Sequence, residues 1–158
     1  MYDAIVIGGG PAGCASARLL AAWGHRVLLV DRPRAPRQDA VESLPPSARQ
    51  VVATIGALEV IDDPAVQPWL GNVVWWADAP RRVEQFPVGI AGQQLQRGWF
   101  DARLRALAVA AGAECVTALA RDVVLPPLAG DSSEPPSMLL EADGATRRVK
   151  APIILDAS

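Results

Sequence analysis

A chain of 158 residues can bury one core of its own and is too short for two full-sized domains, so one domain is expected. Its composition, 51% hydrophobic and 20% charged with a net charge of −2, excludes a disordered chain. Nucleic acid is not an expected partner, because the arginines are dispersed among acids and Lys150 is the only lysine. No membrane is expected either, since no apolar run approaches the roughly 20 residues of a spanning helix. Asp3 and the absence of a basic leader argue against a secretory signal and for a cytoplasmic setting. Cys14 and Cys115 lack metal-ligand spacing and read as small buried residues.

Asp3-Ala4-Ile5-Val6-Ile7 predicts a buried parallel strand that ends in glycines. Ala15, Leu19, Leu20 and Trp23 recur at helical spacing over 12–23, and Gly24 suits a C-cap. Residues 26–31 form the second strand of a βαβ unit. His25, between the two, reads as a turn residue. Residues 32–46 are rich in Pro and Arg and predict an ordered loop, and Pro46 opens a second helix carrying Val51, Val52 and Ile55 up to Gly56. Residues 72–86 predict two strands joined near Ala79-Pro80-Arg81. Trp75 and Trp76 fall in that hairpin and suit packing better than an aromatic pocket. Phe100, Leu104, Leu107, Ala108 and Ala111 share one face of a helix over 97–111, capped by Gly112. Strands are then expected at 114–117, 123–125, 138–141 and 147–155, with Asp143-Gly144 as a hairpin turn. The proline-bearing segment 126–136 reads as a loop suited to movement.

Gly8, Gly10 and Gly13 make a G-x-G-x-x-G pattern with a strand before it, a helix opening from it and Asp31 ending the next strand. Gly8 permits the tight turn, Gly10 lets the backbone approach a pyrophosphate, and Gly13 allows close packing of helix on strand. The free N–H groups of the first helical turn, near Ala12, Gly13 and Cys14, would hold the anion. Asp31, eighteen residues after Gly13, is placed to accept hydrogen bonds from ribose hydroxyls, which disfavours a 2′-phosphate.

With Pro11 inside the turn and Asp31-Arg32 after the second strand, the opening resembles the FAD-binding domain of the glutathione reductase superfamily. The fold class implied is α/β, a Rossmann-type FAD/NAD(P)-binding fold, incomplete, with the start of a β-sheet substrate domain inserted. FAD is the cofactor implied. Val41-Glu42-Ser43-Leu44-Pro45-Pro46 is similar to the segment after the second strand in flavin-dependent tryptophan halogenases and related monooxygenases, which places Glu42 and Ser43 near the flavin. Arg97-Gly98-Trp99-Phe100-Asp101 resembles the entry to the next helix in para-hydroxybenzoate hydroxylase-like enzymes and implies a contact of Arg97 with FAD. Ile153-Ile154-Leu155-Asp156-Ala157-Ser158 is similar to the strand that ends in Asp-Ala-Ser-Gly beside the cofactor, and the chain stops one residue short of that motif. The expected division is 1–68 for the FAD-binding βαβ unit and following helix, 69–95 for substrate-domain strands, and 96–158 for the return to the FAD-binding domain.

The resemblance implies a flavin monooxygenase in which reduced FAD and O₂ give a flavin C4a-hydroperoxide that hydroxylates an aromatic substrate, free or carried on a carrier protein or peptide. The flavin carries the chemistry, and no side chain of this chain is assigned a catalytic role and none a metal. A halogenase is the near alternative, and a geranylgeranyl reductase-like oxidoreductase a further one. Halogenases use a lysine in the first part of the substrate domain, and here none precedes Lys150; a guanidinium is no substitute. Hydroxylation is therefore expected over halogenation. Reducing equivalents come from NAD(P)H or a flavin reductase, and the remainder of the enzyme chain is a required partner. Alone, the 158 residues are expected to be inactive, and the alternative of another class is a non-catalytic dinucleotide-binding module.

Overall fold

The structure, a computed structural model, describes residues 1–33, 40–126 and 134–158. Most of the loop expected at 126–136 and the first part of that expected at 32–46 lie outside the described residues. The chain forms two compact units, Met1–Pro36 with Asp101–Ser158, and Arg37–Phe100. This partition by contacts places 37–68 with the strands that follow, where the sequence reading drew its boundary at 68/69.

In the first unit β1 (Ala4–Ile7), β2 (Val27–Asp31), β8 (Glu114–Thr117) and β12 (Ile153–Asp156) form a parallel sheet in the order β12-β1-β2-β8. Ala4 pairs with both Val27 and Ile153, so the ends of β1 and β2 lie side by side. The two central strands, β1 and β2, are continuous apolar runs because both of their faces are covered. Ile5, Leu28 and Val30 face a core shared with Ala118, Met138, Leu140, Val149 and Ala151. The alternate residues Val6 and Leu29 are equally buried, and helix α1 (Pro11–Ala22) packs on β1 and β2. The core residues from 138 to 149 come from an antiparallel sheet of β9 (Leu119–Val124), β10 (Ser137–Ala142) and β11 (Ala145–Lys150), ordered β11-β10-β9.

In the second unit β3 (Val41–Leu44), β4 (Gln67–Trp69) and β7 (Gly92–Gln96) form an antiparallel sheet ordered β3-β7-β4. β5 (Gly71–Val74) and β6 (Arg82–Gln85) make a two-stranded hairpin, and helices α2 (Ala48–Thr54) and α3 (Leu58–Ile61) pack on each other. Helix α4 (Arg97–Ala110) runs from the last residues of this unit into the first.

Several expectations are corrected. Val41–Leu44 is a strand rather than loop, because β7 supplies an antiparallel partner that local propensity does not reveal. The single strand expected over 147–155 is two, β11 and β12, interrupted where Pro152 removes a ladder donor. Trp75 and Trp76 lie beyond the end of β5 and are 76% and 78% exposed, so they do not pack as expected within their unit. Strands β4 and β7 and the short α3 were not anticipated. The turn at Asp143-Gly144 is as expected, with φ of +51° and +75° between paired Ala142 and Ala145.

Candidate functional site

The glycine turn opens where β1 ends. Gly8 has φ of +106°, and a methyl there would overlap the carbonyl of Ala157 at the end of β12. A methyl on Gly13 would overlap the Gly8 carbonyl, so the first turn of α1 lies directly on the strand end. Gly10 differs from both, since a methyl there meets no atom within 4 Å. Two glycines therefore make room for the fold, and the third leaves open space beside the helix start.

Gly10 is the N-cap of α1, with extended backbone and no side-chain cap, and Pro11 follows it without an N–H. The N–H of Cys14 donates to the Gly10 carbonyl at 2.9 Å. Cys14 is thus the first residue inside the helical ladder, which corrects its expected place among the free donors. The N–H groups of Ala12 and Gly13 precede that bond, at the positive end of a 12-residue helix whose first turn holds no acid. An anion at Gly10 would meet these donors and no opposing carboxylate from the helix. Gly13 is buried and Ala12 exposed, so the turn is closed underneath and open above.

Cys14 is itself 1% exposed, and its Sγ donates to the Gly9 carbonyl at 3.4 Å. Burial, with the nearby Cys115 sulfur adding to it, pushes the thiol up to about 12. A buried thiol held neutral is a packing residue.

Asp31 ends β2, its backbone carbonyl accepting from the Ala118 N–H at 2.8 Å. Its carboxylate reaches back to the turn, and a methyl on Gly9 would meet its Oδ2 at 2.5 Å. Gly9 thus has a role that the G-x-G-x-x-G pattern does not assign: it admits Asp31 over the turn. Arg105 of α4 lies near the same oxygen, Nη1 to Oδ2 3.9 Å. Sequence reading missed Arg105, as helical spacing shows which face it occupies but not which strand end it reaches. Arg32, next to Asp31, is exposed.

The remaining expected residues belong to the second unit. Glu42 and Ser43 lie on β3, opposite Leu95 and Gln94. The Arg97 guanidinium donates to the Glu42 carboxylate at 2.8 Å, and the Arg97 N–H donates to the Ala40 carbonyl at 2.8 Å. Two residues predicted separately for the cofactor are thus partners. Beside this sheet a cleft of about 450 Å³ is lined by Val41, Gln67, Gln94, Gln96 and Trp99 among others. Among the described residues no cluster of His, Cys, Asp or Glu suits a metal, and no helix is long and apolar enough to cross a membrane.

A parallel sheet, a glycine turn feeding an uncapped helix and an acid at the second strand end define a Rossmann-type dinucleotide-binding fold. Residues 1–66 match the family model of the FAD binding domain, and FAD is the cofactor of this fold. Over 158 residues the chain is 27% identical to 1H-pyrrole-2-carbonyl-[peptidyl-carrier protein] brominase of Pseudoalteromonas luteoviolacea, covering 99% of this chain and 37% of that one. Over 71 residues it is 39% identical to tryptophan 2-halogenase of Chondromyces crocatus, covering 45% of this chain and 13% of the relative. Among solved structures, the myxobacterial chondrochloren halogenase, an FAD-dependent enzyme, superposes with a TM-score of 0.84 at 26% identity, covering 99% of this chain and 37% of that one. The chain is similar to a group of FAD-dependent proteins that includes the flavin-dependent halogenases, as its motifs suggest. It spans less than two-fifths of the length of the brominase it matches.

Proposed function

We propose that this chain is the cofactor-binding part of an FAD-dependent enzyme that halogenates an aromatic ring such as a pyrrole or indole, free or tethered to a carrier protein. The observation that carries this reading is the match to a carrier-protein pyrrole brominase along 99% of the chain. The preference drawn from the sequence for hydroxylation gives way to the halogenase alternative on that ground. Bound FAD, once reduced, supplies the chemistry with O₂. The chain's own residues bind and orient it: Gly10, Pro11, Ala12 and Gly13 receive the pyrophosphate, Gly8 sets the turn, and Asp31 accepts from the ribose hydroxyls with Arg32 beside it. Glu42, Ser43 and Arg97 serve the flavin end, the ion pair fixing the guanidinium.

Hydroxylation is the second reading, favoured by the lack of any lysine before Lys150. One experiment separates the two. The whole protein is supplied with FAD, a flavin reductase with NADH, O₂, bromide or chloride, and pyrrole- or indole-bearing substrates, and products are read by mass spectrometry. A halogen isotope pattern supports halogenation. Addition of one oxygen irrespective of halide would sustain the second reading and remove the first, and an unmodified substrate with flavin bound would argue for the non-catalytic module.

A further inference from the structure

We infer that Arg105 is a positioning residue for the ribose end of the FAD site, holding the Asp31 carboxylate over Gly9. The inference rests on the reading of Asp31 as the ribose acceptor. Oδ2 of Asp31 is close to two groups: Gly9, where a methyl would meet it at 2.5 Å, and the Nη1 of Arg105 at 3.9 Å. Gly9 opens the space and Arg105 gives the carboxylate an electrostatic reason to occupy it. The Asp31 side chain is 15% exposed and that of Arg105 31%, so the attraction is only partly screened.

At 3.9 Å the cation makes no hydrogen bond to the carboxylate. It orients Asp31 without taking up an acceptor position. Arg105 lies on α4 and Asp31 at the tip of β2, so the pair joins helix to strand end within the first unit.

The test measures binding of FAD, and of an FAD analogue lacking both adenosine ribose hydroxyls, to the flavin-depleted protein by flavin fluorescence. The unaltered protein should prefer FAD by about ten- to a hundred-fold, the range of hydrogen bonds to a charged group. Arg105→Met should weaken FAD binding and shrink that preference to about threefold or less, because a misplaced carboxylate no longer reads the hydroxyls. Arg105→Lys should restore part of the preference. A purely structural role for Arg105 would weaken both ligands equally and leave the preference intact, which would overturn the inference. Asp31→Asn separates the two layers of the argument. If it abolishes the preference while Arg105→Met does not, the inference alone fails; if it leaves the preference unchanged, the reading of Asp31 fails and the inference with it. Arg105→Gln serves as the neutral variant if the Met variant does not fold, judged by circular dichroism.

Discussion

Two equally apolar sequences end in opposite environments in the two units. Val27-Leu28-Leu29-Val30 in the first is withdrawn from water, each side chain no more than 2% exposed. Val73, Val74, Trp75 and Trp76 in the second leave Val73 at 61% and both tryptophans at more than three-quarters exposure. The difference lies in what the strands are part of. A parallel strand is covered on both faces by crossover helices or a second sheet, whereas a two-stranded hairpin has no layer of its own to cover either face. Hydrophobicity along a run measures what a segment would gain by burial, and topology decides whether burial is on offer.

The largest test of that comparison is truncation of one apolar side chain in each unit. Leu28→Ala should destabilise by about 3 kcal/mol in urea unfolding, the usual range for a fully buried leucine. Val73→Ala should stay within about 0.5 kcal/mol, as an exposed site does. Equal losses would break the comparison.

The glycine turn sharpens it within the first unit. Gly13→Ala forces helix and strand apart and should cost about 1–3 kcal/mol of stability along with FAD affinity. Gly10→Ala meets open space, so stability should be kept while FAD affinity falls. Calorimetry and flavin fluorescence on the two variants read these effects separately.

Cys14 should give a smaller effect, seen only in alkali. Its thiol is pushed up to about 12 by burial, so the unfolded chain loses that proton first as pH rises. The contribution of Cys14 is complete below the ordinary thiol range and declines from there towards pH 12. Cys14→Ala should flatten this part of the stability profile, and at pH 8 maleimide should label Cys115 ahead of Cys14. Faster labelling of Cys14 would contradict a closed floor beneath the turn.

The smallest effect belongs to the second unit, where the exposed Arg49 and Asp62 side chains are hydrogen-bonded to each other. The hydrogen bond from Arg49 holds the Asp62 carboxyl below its ordinary value. Its contribution is present above the ordinary aspartate range and lost as pH falls through the lowered value. Arg49→Met should remove that acid sensitivity and its response to salt, measured by thermal melts between pH 2 and 6.

Much of the candidate site was legible because its requirements are local. The turn Gly8 to Gly13, helix α1 and Asp31 sit within one stretch of chain, and each demands a residue type for a reason that a sequence displays: no Cβ, a fixed φ, a carboxylate at a strand end. The second unit was far less legible. β3 and β7 are separated by about fifty residues, carry Glu, Ser and Gln, and owe their strand form to each other. Glu42 and Arg97 were each singled out for the flavin, yet no spacing rule joins positions 42 and 97 in an ion pair.

The sequence by itself determined the βαβ unit and its glycine turn, since apolar periodicity and backbone-permissive residues act over one or two elements. Only the tertiary structure decided that Gly9 gives way to Asp31, that Cys14 lies inside the helical ladder and that Arg105 faces the strand end. The first and last of those facts depend on close approach between segments up to 74 residues apart, of which chain order holds no record, and the second on where the helix begins.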